Sequence, residues 1–356
     1  MCGVAPPTHA TAPRRREGRT MHTTPRRLLL SSATSAVVAG LATPRPAALA
    51  AAADWPERPV RLVTPAAPGG ALDLAARLFA ERLAARWGQP VLVDNRPGAD
   101  GILAVEALLG ARDGGHTLLF AFPGIVTVVP LLRERLPYNP AEDLAPIAAA
   151  AHDVLAVFAA PSLPAGSLAD LTAFARTRPP GTLNWAAAPG APYLTFLAFQ
   201  RRAGVEMTHV GYRGSNAALP DLTAGRVHVL VTPLAPGLPL AREGKVRLLA
   251  VSTPERAAAA PEIPTVAEAG HPELTVEAPI GLFASRTTLL ELRERIAEDL
   301  RAVAADPAVA ERLRGAGLEV RGEARTPAAY AATLAAQRAR WADLARLHGA
   351  RPRAAP

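Results

Sequence analysis

An α/β architecture of mainly parallel sheets, with room for two domains, is what this sequence predicts, and three observations carry the prediction. Short apolar runs bounded by Gly, Pro and Asn alternate along the chain with amphipathic segments at three- and four-residue spacing, the pattern of strands feeding helices. The 356 residues suffice for two domains of ordinary size, each with its own core. Residues 1–53 differ in composition from the rest and read as an address rather than as part of the fold.

From Met21 the chain runs Met-His-Thr-Thr-Pro-Arg-Arg-Leu-Leu-Leu, continues through a weakly apolar stretch to Leu41, and closes on small residues from Ala47 to Ala53. A basic head, a short apolar middle and a small-residue end are the parts of a secretory signal. The middle is too short to span a bilayer. Arg26-Arg27 followed by three leucines resembles a twin-arginine signal, with general secretion as the other route. The expectation is an N-terminal extension and export signal over 1–53, a start at Met21, cleavage near Ala53-Asp54 and a periplasmic mature protein. A disordered Ala/Pro-rich tail retained in the cytoplasm is the alternative.

Charge points the same way. Of 39 basic and 31 acidic residues, seven arginines and Glu17 fall within 1–53, which leaves 32 against 30 for the remainder of a chain whose formal charge is +8. A body so balanced lacks the clustered basic face that phosphate-backbone binding needs, so a nucleic-acid partner is excluded. Cys2 is the only cysteine, and the body can therefore hold no disulfide, zinc cluster or cysteine nucleophile.

Element by element, Val60–Thr64 is a buried strand ending in a Pro- and Gly-rich turn. Leu72, Ala75, Ala76, Phe79, Leu83 and Trp87 mark one face of a helix that Gly88 stops, and Pro90–Asp94 returns as a second strand. A helix over 101–109 and strands over 117–122 and 154–158 continue the alternation. Next come helices over 168–176, 193–202 and 217–223, with strands over 183–186 and 207–212 between them. The clearest strands are 227–232 and 246–251. Helices over 288–305, from Pro307, and over 327–347, with a strand over 318–321, finish the chain, and no fixed-period repeat occurs.

Catalytic patterns are missing from this sequence. The eight histidines are scattered without the paired spacing of a metal site, Gly214-Ser215 lacks the rest of a nucleophile elbow, and the glycines at 98–101 do not open a dinucleotide loop. No enzyme, cofactor or metal is expected. The rival is an exported α/β hydrolase or transferase.

Several segments, in one order, resemble the Bug-type solute receptors that serve tripartite tricarboxylate transporters. They are Trp55-Pro-Glu-Arg-Pro-Val-Arg-Leu-Val, Pro68-Gly-Gly-Ala-Leu-Asp-Leu-Ala-Ala-Arg77, Gly88-Gln-Pro-Val-Leu-Val-Asp-Asn-Arg-Pro-Gly-Ala99, Asp113-Gly-Gly-His-Thr-Leu-Leu119, His209-Val-Gly-Tyr-Arg-Gly-Ser215, Asp221-Leu-Thr-Ala-Gly-Arg-Val227, Pro264-Thr-Val-Ala-Glu-Ala-Gly270 and Gly281-Leu-Phe-Ala284. The resemblance implies a type II periplasmic-binding-protein fold: two α/β lobes with two crossovers, near 155 and 280, and a ligand cleft between them. Lobe 1 would then be 54–155 plus 280–356, and lobe 2 156–279. It also implies a small organic acid as ligand, membrane transporter subunits as partners, and a monomer. A sensor role with a signalling partner would use the same fold and ligand.

A carboxylate leaving water needs fixed donors in place of its hydration. The turn Thr64-Pro-Ala-Ala-Pro-Gly-Gly70 between strand and helix is built to provide them, with unpaired helix N–H groups beyond glycines that allow close approach. Ala66, Ala67, Gly69 and Gly70 are therefore candidate ligand contacts. Asp73 fits either a cap of that helix or a group bordering the cleft. Phe122 and Thr127, after the third strand, are candidates on the same sheet edge, with a plain loop as the other reading.

Facing them, Ala187-Ala-Pro-Gly-Ala191 contributes Ala188 and Gly190, followed by Tyr193. This loop departs from the resembled family by about three residues and lacks its usual His. Tyr212 and Thr232 stand at expected strand ends. Asn95-Arg96-Pro97-Gly98 reads first as turn chemistry. Ala66 replaces a common aromatic, and Ala278-Pro279 stands where a Trp-like residue is frequent. Both changes enlarge the expected pocket and point to a bulkier ligand.

Overall fold

The alternation of strands and helices folds into two sheets, each covered on both faces. The computed structural model describes residues 55–347 except 189, 213, 214 and 323. The expected export signal, Met21 and the cleavage near Ala53 lie outside the described residues, as do Pro189 of the loop after Ala187 and Arg213-Gly214 of the His209–Ser215 string.

In chain order the first part comprises β1 (Val60–Thr64), α1 (Ala71–Trp87), β2 (Val91–Asn95), α2 (Ile102–Leu109), β3 (Thr117–Ala121), two short helices α3 (Gly124–Thr127) and α4 (Val129–Leu132), and β4 (Leu144–Asp153). The middle comprises β5 (Leu155–Ala159), α5 (Leu168–Arg176), β6 (Asn184–Ala187), α6 (Ala191–Ala203), β7 (Thr208–His209), α7 (Leu219–Thr223), β8 (Val229–Pro233), α8 (Leu234–Arg242) and β9 (Arg247–Val251). The chain ends with β10 (Ala278–Ser285), α9 (Leu290–Ala304), α10 (Pro307–Gly315), β11 (Leu318–Glu319) and α11 (Pro327–Leu347).

One sheet has the order β11-β4-β10-β3-β1-β2, the other β7-β6-β8-β5-β9. The chain changes sheet between Asp153 and Leu155 and has returned by Ala278, so each sheet belongs to one lobe. Mainly parallel sheets were expected, but both sheets are mixed. β1 runs parallel to β2 and β3, and β6 to β7 and β8. β5 and β10, the strands on which the chain enters a new sheet, run antiparallel to their neighbours. The physical reason is direction: a strand arriving from the other lobe enters from the cleft side, opposite to strands fed by covering helices.

Burial on both faces explains why the central strands read as continuous apolar runs. Leu62, Leu118 and Phe120 pack on one face with Phe79 and Leu83 of α1 and Ile296 and Leu300 of α9. Their neighbours Val63, Leu119 and Ala121 point to the other, against Val105 and Leu108 of α2 and Tyr330 and Leu334 of α11. The second sheet repeats this, with Val157, Trp185 and Val231 on one side and Ala156, Phe158 and Leu230 on the other.

At the crossings the lobes share a core. Val128 and Leu155 pack with Leu194 of α6, Val276, Trp341 and Ala345. Helix α11 thus starts on the first sheet and ends against the second lobe, where the Arg340 guanidinium donates to the Thr275 carbonyl at 2.7 Å. Strand β7 holds only Thr208 and His209, shorter than the strand expected over 207–212.

Candidate functional site

Strands β1 and β3 end at Thr64 and Ala121, and β6 and β8 at Ala187 and Pro233. Loops leaving these carboxyl ends carry most of the expected contacts, as the parallel portion of an α/β sheet requires. The two sets come together: a Cβ built on Gly190, after β6, would lie 3.6 Å from Val128, just beyond α3.

The first-lobe turn is held open by a buried clamp. Gly69, at φ +84°, adopts a left-handed conformation that favours glycine. Its N–H donates to Asp73 Oδ2 at 2.8 Å, while Asn95 Nδ2 donates to Asp73 Oδ1 at 2.8 Å and to the Ala66 carbonyl at 3.1 Å. Arg77 completes the set through Nε to Asp73 Oδ2 at 3.0 Å and through a second nitrogen to Asn95 Oδ1 at 3.0 Å. The register of the parallel β1–β2 pair makes this possible, because Thr64 and Asn95 are partners.

Asp73 is 1% exposed, with both oxygens engaged. Burial raises its pKa, but the bonds from Arg77, Gly69 and Asn95 and the Arg77 charge outweigh that, and the carboxyl sits below its ordinary value. Asp73 therefore faces its own loop, not solvent. Above it Gly70 caps α1 with no side chain, so the first-turn amides keep no internal cap. Gly69, Gly70 and Ala67 are exposed and Ala66 half-buried. An anion approaching this turn meets backbone donors and the positive end of a 17-residue helix.

Phe122 leaves β3 half-buried against the first core, and the 1% exposed Thr127 donates its hydroxyl to the Pro123 carbonyl at 3.1 Å. Across from them Ala188 is tied to β8 through its N–H to the Val231 carbonyl at 2.8 Å. Tyr193 stacks on Trp185 at 5.4 Å and meets His209 edge-on at 4.9 Å, and its hydroxyl has no partner among the described residues. Thr232 is fully buried and donates to Ser215 Oγ at 2.8 Å, which leaves the Ser215 proton to point elsewhere.

Tyr212 requires a correction. It lies beyond the end of β7, not at a strand end, and its hydroxyl donates to Asp221. Burial and that neighbouring carboxylate push the phenol up to about 12. Asp221 is also held by Arg226, so the three groups tie the connection from β7 to the start of α7. Arg96, just past the end of β2, pairs with Asp94 of that strand at 3.0 Å, as its turn chemistry suggested. Ala278 and Pro279 stand opposite Asp153 and His152 in the ladder, and Ala278 packs at the crossing core.

Three groups with a place here were not singled out from sequence: Asn95 as the clamp's amide, Ser215 as the partner of Thr232, and Asn216, exposed beside Thr232 in the 3-10 turn Ser215–Ala218. The signal for the last two was present, since one ends the His209–Ser215 string and the other adjoins it. Cavities of about 330 Å³ (around Phe174, Arg178 and His228) and about 180 Å³ (around Leu144, Phe283 and Leu334) lie elsewhere, and none of the twelve candidates lines either. Among the described residues no group of three or more His, Cys, Asp or Glu could hold a metal, and no helix is long and apolar enough to cross a membrane.

Two mixed α/β lobes with two crossings, and glycine turns of both lobes brought together, define a solute-binding receptor of the type II periplasmic kind. Residues 75–347 match the tripartite tricarboxylate transporter family receptor model, and the chain belongs to that family. It is 35% identical over 266 residues to a UPF0065 protein of Bordetella bronchiseptica, covering 74% of this chain and 78% of that one. To protein BugT of Bordetella pertussis it is 33% identical, over 70% and 77% of the two chains. Among solved structures, R. palustris Rpa4515 with adipate is 33% identical at a TM-score of 0.75, covering 84% of this chain and all of that one. MatC of Rhodopseudomonas palustris with bound malate is 31% identical at 0.70, covering 82% and 99%.

Proposed function

We propose that this receptor captures a small dicarboxylate in the periplasm between lobe 1 (54–155 plus 280–356) and lobe 2 (156–279), and hands it as a monomer to membrane transporter subunits. The observation that carries this is the uncapped amino end of α1, with Gly69 and Gly70 exposed over a clamp that uses every oxygen of Asp73. That turn has donors and no acidic group of its own facing out. One carboxylate sits on the α1 amides beside Ala66 and Ala67, with Phe122 and the α3 turn as a wall. The other meets the Ser215 hydroxyl, Tyr193 and the Ala188–Gly190 turn. The bound adipate and malate of the two solved relatives support the ligand class.

Small side chains at Ala66 and in the Ala188–Gly190 turn favour the longer acid. Calorimetry on the mature protein should therefore show adipate bound at least tenfold more tightly than malate. Tight binding of malate with weak adipate would reverse the size argument, and no binding of either would remove the dicarboxylate reading. The ligand joins the lobes by hinge closure, seen as compaction in X-ray scattering at saturating adipate. Adipate recovered unchanged after prolonged incubation separates the receptor from an exported hydrolase or transferase; loss of adipate to a product would favour the enzyme.

A further inference from the structure

The 180 Å³ cavity of lobe 1 lies on the α11 side of the first sheet, away from the glycine turns. Its lining is apolar (Val126, Leu144, Phe283 and Leu334) apart from two arginines, Arg286 and Arg338. Neither guanidinium has a carboxylate within 4 Å among the described residues, whereas Arg61, Arg77, Arg82, Arg86, Arg96 and Arg133 of the first lobe do. Arg338 is half-buried and spends one N–H on the Val126 carbonyl at 3.3 Å, leaving four donors. Arg286 is exposed. The acidic loop beside Arg286 meets it through backbone, the Asp143 carbonyl accepting the Arg286 N–H at 2.9 Å while the Asp143 carboxylate accepts the Asn139 N–H at 2.7 Å.

Size narrows the occupant. The recess is open to solvent along Ala141, Arg286, Ala331 and Ala335, which are exposed, and its 180 Å³ leaves little beyond one ring or a chain of similar bulk. Two guanidiniums beside such a space match the planar, bidentate geometry of one carboxylate. We propose that this cavity is a second binding site, separate from the interlobe cleft, for a small apolar monocarboxylate of the size of benzoate. The apolar body lies against Leu144, Phe283 and Leu334 and the carboxylate between Arg286 and Arg338. The inference does not rest on the dicarboxylate reading of the cleft.

The test is calorimetry and saturation-transfer NMR on the full mature chain with benzoate, its uncharged isostere benzamide, and adipate. Benzoate should bind with adipate already saturating, and benzamide should bind at least tenfold more weakly. Arg286→Gln with Arg338→Gln should weaken benzoate at least tenfold and leave adipate within twofold. Ala331→Leu, which fills the lining from α11, should do the same by removing space. Equal binding of benzamide, loss of benzoate on adding adipate, indifference to all three substitutions, or no benzoate binding at millimolar concentration would each overturn the site. The wild-type comparison of benzoate with benzamide decides the matter even if a variant does not fold.

Discussion

Replacing Asp73 by Asn keeps the shape of the side chain and removes one acceptor. Three donors converge on the carboxylate, Gly69 N–H and Arg77 at Oδ2 and Asn95 at Oδ1. An amide has a single acceptor oxygen, so its NH₂ must face at least one of those donors. Asp73 is only 1% exposed, which leaves water little room to substitute. A hydrogen bond to a charged group contributes about 1.5–3 kcal/mol, so urea unfolding should show Asp73→Asn less stable by about 2 kcal/mol.

Release of the Gly69 N–H also loosens the turn that presents the α1 amides. A loss of about 1.4 kcal/mol of pre-organisation corresponds to tenfold in affinity, the weakening expected for adipate by calorimetry. The stability difference should depend on pH. The folded carboxyl lies below its ordinary value of 3.8, so its contribution is present above that pH and is lost as pH falls through the folded value. Parent and variant should converge in acid. Unchanged stability with abolished adipate binding would mean that Asp73 touches the ligand itself, and the clamp argument would fail.

Other predictions follow from the crossings and the second lobe. Burial raises the Asp153 carboxyl from 3.8 to about 7 against the opposing Val154 N–H, so the folded state favours the protonated form. That stability is complete below the unfolded value and is lost as pH rises toward 7, by roughly 4 kcal/mol at about 1.4 per unit; Asp153→Asn should flatten the profile, and parallel profiles would contradict this. A Cβ at Gly317 would lie 2.3 Å from Ala235 of α8 across the lobes, whereas one at Gly204, also left-handed, meets nothing within 4 Å. Gly204→Ala should cost about 1 kcal/mol and Gly317→Ala about 1–3 more; equal losses would show that the lobes do not meet there. Tyr212→Phe should cost about 1 kcal/mol and leave adipate affinity unchanged, and a tenfold loss of affinity would restore Tyr212 as a contact.

The elements legible in the sequence are those whose period and punctuation agree. Helix α1 shows an apolar stripe stopped by Gly88, and β1, β8 and β9 are short apolar runs between turns. Strand β4 escaped notice because Ala145, Ala148, Ala149, Ala150 and Ala151 favour helix as isolated residues. Only insertion between β10 and β11, with helices above and below, makes a strand of them. Helix α8 carries Pro236, Gly237 and Pro239, which read as breakers, yet Gly237 lets its backbone lie directly on Phe158.

For the site, the glycine turn, the helix that follows it and the strand ends that carry the facing loops were legible in the sequence, because these depend on residues close in the chain. The sequence could not decide where hydrogen-bonding groups spend their donors. Asn95 looked like a turn residue and is the clamp's amide, since strand register brings it to a carboxylate 22 positions away. Tyr212 looked free and is tied to Asp221. Arg286 and Arg338 lie 52 positions apart and carried no local signal, yet β10 and α11 bring them to one cavity. A side chain's partner is fixed by packing between distant segments, and that is the information only the tertiary structure holds.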